Sequence, residues 1–517
     1  MQADRQSHSK KPPIRRAQAA HVPVGSRLTL AALVLALAGC SVGPDYRRPT
    51  VEVPAQFKEA APGWKMAQPQ DQATRGPWWE VFNDPQLNAL ESRVNLANQT
   101  VAGYAAAYRQ AHAMVSEAQA AYFPTLGLSA SQTRSKSSAA SFSSGSTQTA
   151  GINNQYSAGL DASWEPDLWG KIRREVASEK ATAQGAAATL ANAELSAQGT
   201  LAQDYFQLRA LDAAQQLLDS TVVAYQKSLE LTQNRYQQGV AARSDVITAQ
   251  TQLQQAQAAA VDNGIARAQY EHAIAVLVGE PASSFSIAAM PLTATPPILP
   301  LQLPSALLER RPDVAVAERQ AAAANEQIGV AIAAYFPSLT LSATGGFESG
   351  SFSNWLTAPA RFWTLGPQLA ATLFDGGLRS AQTEAARASY DQSVANYRGT
   401  VLAAFQDVED NLASLRILEQ EVVLDQAAAD SADQALAIVT NQYKAGTGTY
   451  LEVIVAQATD YSTHKQLVSV SGSRMVAAVG LIKALGGGWD ASDLNAPTRK
   501  PAGAPPNATS AIAQKAD

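Results

Sequence analysis

The chain has 517 residues, far more than one hydrophobic core requires, which excludes a small stapled or metal-nucleated module. Hydrophobic residues make up 46% and charged residues only 16%, which excludes charge-rich disorder and a basic nucleic-acid binder. The formal charge is −5; the first 39 residues carry six Lys or Arg against one Asp, so the remainder is mildly acidic. A single Cys excludes an intrachain disulfide and a multi-thiolate metal site.

Residues 1–39 read as an address. Arg15, Arg16 and Arg27 precede an apolar run from Leu28 to Leu37, the length of a secretory h-region and too short to span a bilayer. The run ends Leu37-Ala38-Gly39-Cys40, the pattern of a bacterial lipoprotein signal, so Cys40 is expected to carry a lipid and to begin the mature chain. Ser41 rather than Asp follows it, as in lipoproteins passed to the outer membrane. Past this segment no stretch approaches eighteen uninterrupted apolar residues, so a membrane-spanning part has to be a β-barrel.

The rest of the chain is written twice. Ala120-Ala121-Tyr122-Phe123-Pro124-Thr125-Leu126 returns as Ala333-Ala334-Tyr335-Phe336-Pro337-Ser338-Leu339, 213 residues on. Tyr236, Gly239, Asp245 and Val246 return as Tyr443, Gly446, Glu452 and Val453, and Leu208-Arg209 as Leu415-Arg416, all at an offset of 207. A repeat this long is a duplicated half-domain and not a solenoid unit. The expected divisions are 1–39 signal, 40–83 N-terminal collar segment, 84–280 first repeat, 281–303 Pro-rich linker, 304–490 second repeat and 491–517 disordered tail.

Within each repeat the prolines separate the elements. None occurs between Asp167 and Glu280 or between Gln368 and Ala496, which predicts helices over 170–238 and 243–279, then 377–445 and 450–486. Gly239 and Gly446 fall in the breaks, so each pair is a helical hairpin. Helices of about 37 residues are expected ahead of each Tyr-Phe-Pro, stacked end to end with the return arm beside the long arm. Between Tyr-Phe-Pro and the long helix the period changes to two. Tyr156, Ala158, Leu160, Ala162 and Trp164 alternate with Ser157, Gly159, Asp161 and Ser163; Leu126, Leu128 and Ala130, then Leu339, Leu341 and Ala343, then Leu365, Leu369, Ala371 and Leu373, behave alike. Four strands with one apolar face are expected, with a Ser- and Gly-rich external loop from Ser135 to Asn154. Four strands cannot close a barrel, so two or three copies are required.

Candidates for chemistry are few. The five His (8, 21, 112, 272 and 464) show no ligand spacing along the chain, Gly486-Gly487-Gly488 lacks the Lys-Ser/Thr of a phosphate loop, and the carboxylates read as solvated helix faces. No catalytic residue, no metal site and no cofactor beyond a covalent lipid on Cys40 is expected, and no enzyme activity. The hairpin tips stand out instead: Tyr236, Gly239, Arg243, Asp245, Tyr443, Gly446 and Glu452. Their ordinary reading is capping, Gly ending one helix and Asp or Glu starting the next.

The chain resembles the outer-membrane efflux proteins of the TolC type, specifically the lipoprotein branch serving resistance-nodulation-division pumps. The resemblance rests on Cys40-Ser41-Val42-Gly43-Pro44-Asp45-Tyr46, Trp78-Trp79 before Asp84-Pro85, the two Tyr-Phe-Pro motifs, Arg310-Arg311-Pro312-Asp313-Val314, Phe374-Asp375-Gly376-Gly377 and Ala484-Leu485-Gly486-Gly487-Gly488-Trp489. It implies an α+β membrane protein: a homotrimeric channel in which a 12-stranded outer-membrane β-barrel, four strands per protomer, is continuous with a long α-helical periplasmic barrel of coiled hairpins ringed by a collar. It further implies that the tips dock a periplasmic adaptor, serve an inner-membrane pump and form the closed aperture. Relatives carry an acidic residue two places after the second glycine; here that position is Gly448, which leaves Asp245 and Glu452 as constriction carboxylates. A type I secretion duct, which shares the fold, and a pore-free structural lipoprotein are the competing readings.

Overall fold

The computed structural model describes residues 41–59, 77–136, 152–297, 307–491 and 494. Cys40, the signal segment, most of the 135–154 loop and residues 495–517 lie outside these. The chain divides into two compact units, Met1–Gly43 with Ala121–Arg173 and Ile332–Arg379, and Pro44–Ala120 with Arg174–Ala331 and Ser380–Asp517.

The first unit is a four-stranded antiparallel meander, β1 (Thr125–Lys136), β2 (Ile152–Trp164), β3 (Ser338–Ser349) and β4 (Arg361–Ala370), in the order β1-β2-β3-β4. Strands of 10 to 13 residues are the length a tilted strand needs to cross a bilayer. The register puts the predicted apolar sets on one face: Leu128 opposite Leu160, Leu160 opposite Gly345, Ala343 opposite Leu365, and Leu339 opposite Leu369. Residues directly opposite share a face, so this face is continuous across all four strands, while Ser131, Ser157, Asp161, Ser342 and Thr344 occupy the other. Both β1 and β2 extend further into the predicted loop than expected, with Lys136 paired to Ile152, and Ala371 and Leu373 lie past the end of β4.

Aromatic residues gather at both ends of the sheet. At one end Trp169 stacks on Phe336 at 4.9 Å and donates to the Pro337 carbonyl at 2.7 Å, and Trp164 donates to the Tyr122 carbonyl at 3.0 Å. At the other, Tyr156 meets Phe352 and Trp355. The amide of Val42 donates to the Trp169 carbonyl at 3.1 Å, which fixes the described start of the chain against the Trp169–Gly170 turn.

The second unit holds α1 (Pro85–Ala97), α2 (Gln99–Ala120), α3 (Lys171–Gln237), α4 (Arg243–Leu277), α5 (Pro312–Ala333), α6 (Leu378–Ala445) and α7 (Tyr450–Ala484), of which the end turns of α3, α5 and α6 are counted with the sheet. The four hairpin helices fall within two residues of the spans that the proline gaps predict. Among the described residues α7 is the one helix long and apolar enough to cross a membrane; its Met475, Val479 and Leu481 are instead buried in the main core. That core centres on the middle of the long helices, where Leu201, Tyr205, Phe206 and Leu208 of α3 and Val401, Val408 and Leu412 of α6 meet Trp78, Trp79, Phe82, Leu87, Leu90 and Val94. Asp84 and Pro85 explain their motif: the Asp84 carboxylate accepts from the Gln86 and Leu87 amides and from the Tyr205 hydroxyl, and Pro85 occupies the helix position that needs no donor.

The helices ahead of the Tyr-Phe-Pro motifs are 22 residues each, shorter than expected. Asn98 adopts an extended conformation and its side-chain oxygen accepts from the Thr100 and Val101 amides, which ends α1 and starts α2 as a new helix; Pro312 does the corresponding work for α5. The end-to-end stacking is present. Asn98 Nδ2 donates to the Leu277 carbonyl at 2.9 Å, and Arg311 Nη1 donates to the Ala484 carbonyl at 3.3 Å. At both junctions a glycine with positive φ follows the return arm, Gly279 against the Ala97 carbonyl and Gly486 against the Arg310 carbonyl, where any Cβ would overlap backbone.

Candidate functional site: the hairpin tips

The two tips fold by the same local chemistry. In the first, the Arg235 carbonyl accepts from the amides of Val240 and Ala241; in the second, the Gln442 carbonyl accepts from Thr447 and Gly448. All three positions are related by the 207-residue offset. Gly239 (φ 74) and Gly446 (φ 81) reverse the chain in the left-handed region, which glycine enters without a Cβ penalty. The second return arm opens on a full capping box and the first on its reciprocal half alone, since Ala242 has no side-chain acceptor. Asp245 accepts from the Ala242 amide at 3.4 Å, and Glu452 accepts from the Thr449 amide at 2.8 Å while Thr449 Oγ1 accepts from the Glu452 amide. Both carboxylates sit in the first turn, where the helix dipole favours them.

The repeats are tied to each other here. Arg235 lies with its guanidinium 4.6 Å from the centroid of the Tyr443 ring and donates at 2.8 Å to the Tyr443 carbonyl, which also accepts from the Gly446 amide at 3.1 Å. Tyr443, Tyr450, Ala249 and Val453 form a small core of their own, with the tyrosine rings 5.5 Å apart. Burial raises the Tyr450 phenol above its usual range, and the nearby Asp245 carboxylate adds to that shift.

Of the predicted tip residues, Tyr236, Gly239, Arg243, Gly446 and Glu452 are exposed, Asp245 is half-buried and Tyr443 is buried. Tyr236 and Tyr443, equivalent by sequence, therefore do different work. Arg235 and Tyr450 were not legible as tip residues, because Arg235 finds its partner 208 residues away and neither recurs at the offset, where Gln442 and Arg243 stand instead. Asp433 of α6 and Asp460 and His464 of α7 converge elsewhere in the same hairpin; Asp433 comes from another helix than the other two, so the histidine spacing alone conceals the group.

Comparison with known proteins places this architecture. The family described as "Outer membrane efflux protein" matches residues 83–280 and 303–487. The pyoverdine export outer membrane protein OpmQ of Pseudomonas aeruginosa is 31% identical over 92% of this chain and 99% of its own length. The probable efflux pump outer membrane protein TtgC of Pseudomonas putida is 30% identical over 90% and 96%. Among solved structures, the outer-membrane channel OprN superposes with a TM-score of 0.80 at 28% identity, covering 87% of this chain and all of that one. The open-state MtrE outer membrane channel of Neisseria gonorrhoeae superposes with 0.75 at 26%, covering 87% and 98%. The two solved structures are of outer membrane channels. With both repeats matched and the fold shared, the chain belongs to the outer membrane efflux protein family and is an outer-membrane efflux channel protein of a Gram-negative bacterium with the TolC-like α+β fold.

Proposed function

We propose that the chain is the exit duct of a tripartite, resistance-nodulation-division type efflux pump, working as a homotrimer anchored by a lipid on Cys40. The observation that carries the oligomer is the sheet. β1 pairs only with β2 and β4 only with β3 among the described residues, so each protomer offers two open edges and an exposed apolar face, which hydrocarbon tolerates only when edges close on other strands. Three copies supply twelve strands, a barrel wide enough for an aqueous lumen. The Ser41–Val42 segment beside Trp169 supports the anchor, since aromatic side chains of this kind gather at membrane interfaces.

The duct conducts passively. The tips meet a periplasmic adaptor and form the resting constriction, and the inner-membrane pump supplies the energy. Relatives named for pyoverdine export and for toluene and antibiotic efflux support small organic compounds as cargo. The test is single-channel recording in planar bilayers on the purified mature oligomer, alongside its mass in detergent. Trimers with discrete openings that become more frequent in the Asp245→Ala/Glu452→Ala variant are expected. A folded oligomer without conductance in either form overturns the proposal and favours a structural lipoprotein.

A further inference from the structure

The second hairpin carries a cluster that neither capping nor core packing uses. Asp433 projects from α6, and Asp460 and His464 project from one face of α7, four residues apart. His464 Nε2 lies 3.3 Å from Asp433 Oδ1 and 3.9 Å from Asp460 Oδ1, and one ligand atom of each residue falls within 4.8 Å of the others. Ligands bound at about 2.0–2.2 Å around a tetrahedral cation stand roughly 3.3–3.6 Å apart, so the donors need little movement to share one.

Charge and access fit the same reading. Two carboxylates face each other, and among the described residues the His464 imidazole is their one basic partner. One Asp460 oxygen is buried without a hydrogen-bond partner. Tyr225 of α3 lies near Asp460. Side-chain exposures of 28% for His464, 22% for Asp460 and 58% for Asp433 leave a path for an ion and its remaining water ligands. The duplication supplies an internal control: the positions 207 residues earlier are Gln226, Leu253 and Gln257, which cannot form this donor set.

We infer that Asp433, Asp460 and His464 bind a divalent transition cation of the Zn²⁺ class, which staples α6 to α7 in the second hairpin alone. One imidazole and two carboxylates suit such an ion, with water completing its coordination. The staple joins residues 27 and 31 positions apart across the hairpin turn, so it opposes separation of the two arms. It lies within one chain and does not depend on the trimer or on transport.

The test uses the full mature protein in detergent, without a polyhistidine tag, stripped with chelator and titrated with Zn²⁺ by calorimetry. One Zn²⁺ per protomer is expected, with hydrogen exchange slowed on both sides of the cluster in α6 and α7. Asp433→Asn and His464→Gln each remove a ligand, so each weakens binding by more than the roughly 10- to 100-fold that loss of an outer-shell partner costs. Asp245→Asn/Glu452→Gln leaves it unchanged, which separates this site from cation effects at the tips. Because a variant could disturb the helices, Co²⁺ is bound to the wild type as a second readout, and a tetrahedral visible spectrum that Zn²⁺ displaces is expected. No saturable binding at micromolar Zn²⁺, or binding that survives the Asp433→Asn/His464→Gln double variant, overturns the proposal.

Discussion

Arg235, in the last turn of the first long helix, lies over the Tyr443 ring of the second repeat and donates to the Tyr443 carbonyl oxygen. The contact joins the two hairpins within a protomer at the end where both chains reverse. Its removal by Arg235→Ala forfeits a cation–π contact and a charge-assisted hydrogen bond, together about 2 kcal/mol. Hydrogen exchange at residues 442–448 is expected to accelerate, with more frequent channel openings in bilayers; Arg235→Lys, which keeps the charge but not the planar stacking, falls between. Unchanged exchange in Arg235→Ala counts against the clamp.

A second prediction concerns Arg209 and its repeat partner Arg416. Arg209 is buried, pairs with Asp212 at 2.9 Å, and donates to Gln86 and to the Ala288 carbonyl; Asp212 also accepts from Arg267 and from the Met290 amide. One buried pair thereby ties α1, the hairpin α3–α4 and the linker together. Arg209→Ala leaves Asp212 short of a partner in the core and costs about 3–5 kcal/mol. Arg416, partly exposed against Glu59, costs about 0–1 kcal/mol when replaced. Denaturant melts of the two variants would show equal losses if the repeats were packed alike.

Glu91 makes stability depend on pH. It is fully buried in α1, neither carboxylate oxygen has a hydrogen-bond partner, and burial pushes its carboxyl up from 4.5 to about 9. The folded chain therefore holds a proton that the unfolded chain releases above pH 4.5. The associated stability is complete below that pH and is lost as pH rises toward about 9, with a slope on the order of 1.4 kcal/mol per pH unit. Glu91→Gln is expected to flatten that decline in melting temperature measured from pH 5 to 9. An equally steep decline in the variant would assign it to another group.

The sheet predicts a sharp asymmetry between its faces. Leu160→Arg, on the face shared by Leu128 and Gly345, places a cation in hydrocarbon at a cost of about 2–4 kcal/mol near the midplane. Ser157→Arg, three residues away on the opposite face, is tolerated and lowers cation conductance by adding positive charge to the lumen. Heat-modified mobility on gels and bilayer recordings read the two effects, and equal assembly of both variants would contradict the facing assigned here.

Glycines with the same backbone sign separate by surroundings. Gly239→Ala has open space around the added methyl and costs about 1–2 kcal/mol for the left-handed conformation. Gly279→Ala has that cost and a collision with the Ala97 carbonyl as well, so it is expected to part α4 from the α1–α2 junction and to yield little assembled protein in outer-membrane fractions. Equal yields of the two variants would show that the junction yields easily.

Local rules sufficed for a large part of this protein. Proline-free stretches bounded by Gly239 and Gly446 determined the hairpins, because backbone hydrogen bonding and left-handed caps are decided within a few residues. Alternation from Tyr156 to Trp164 determined a two-faced strand, and the repeat offsets determined that the halves share one plan. Asn98 misled, since an asparagine inside a helical pattern becomes a cap only when a carbonyl such as that of Leu277 is there to hold its amide. What only the tertiary structure decided are contacts between distant segments. Arg235 on Tyr443, Arg209 on Gln86 and Asp433 beside His464 all join side chains from different helices, and the packing of one hairpin against another, or of one arm on its return, brings them together without leaving any local period in the chain.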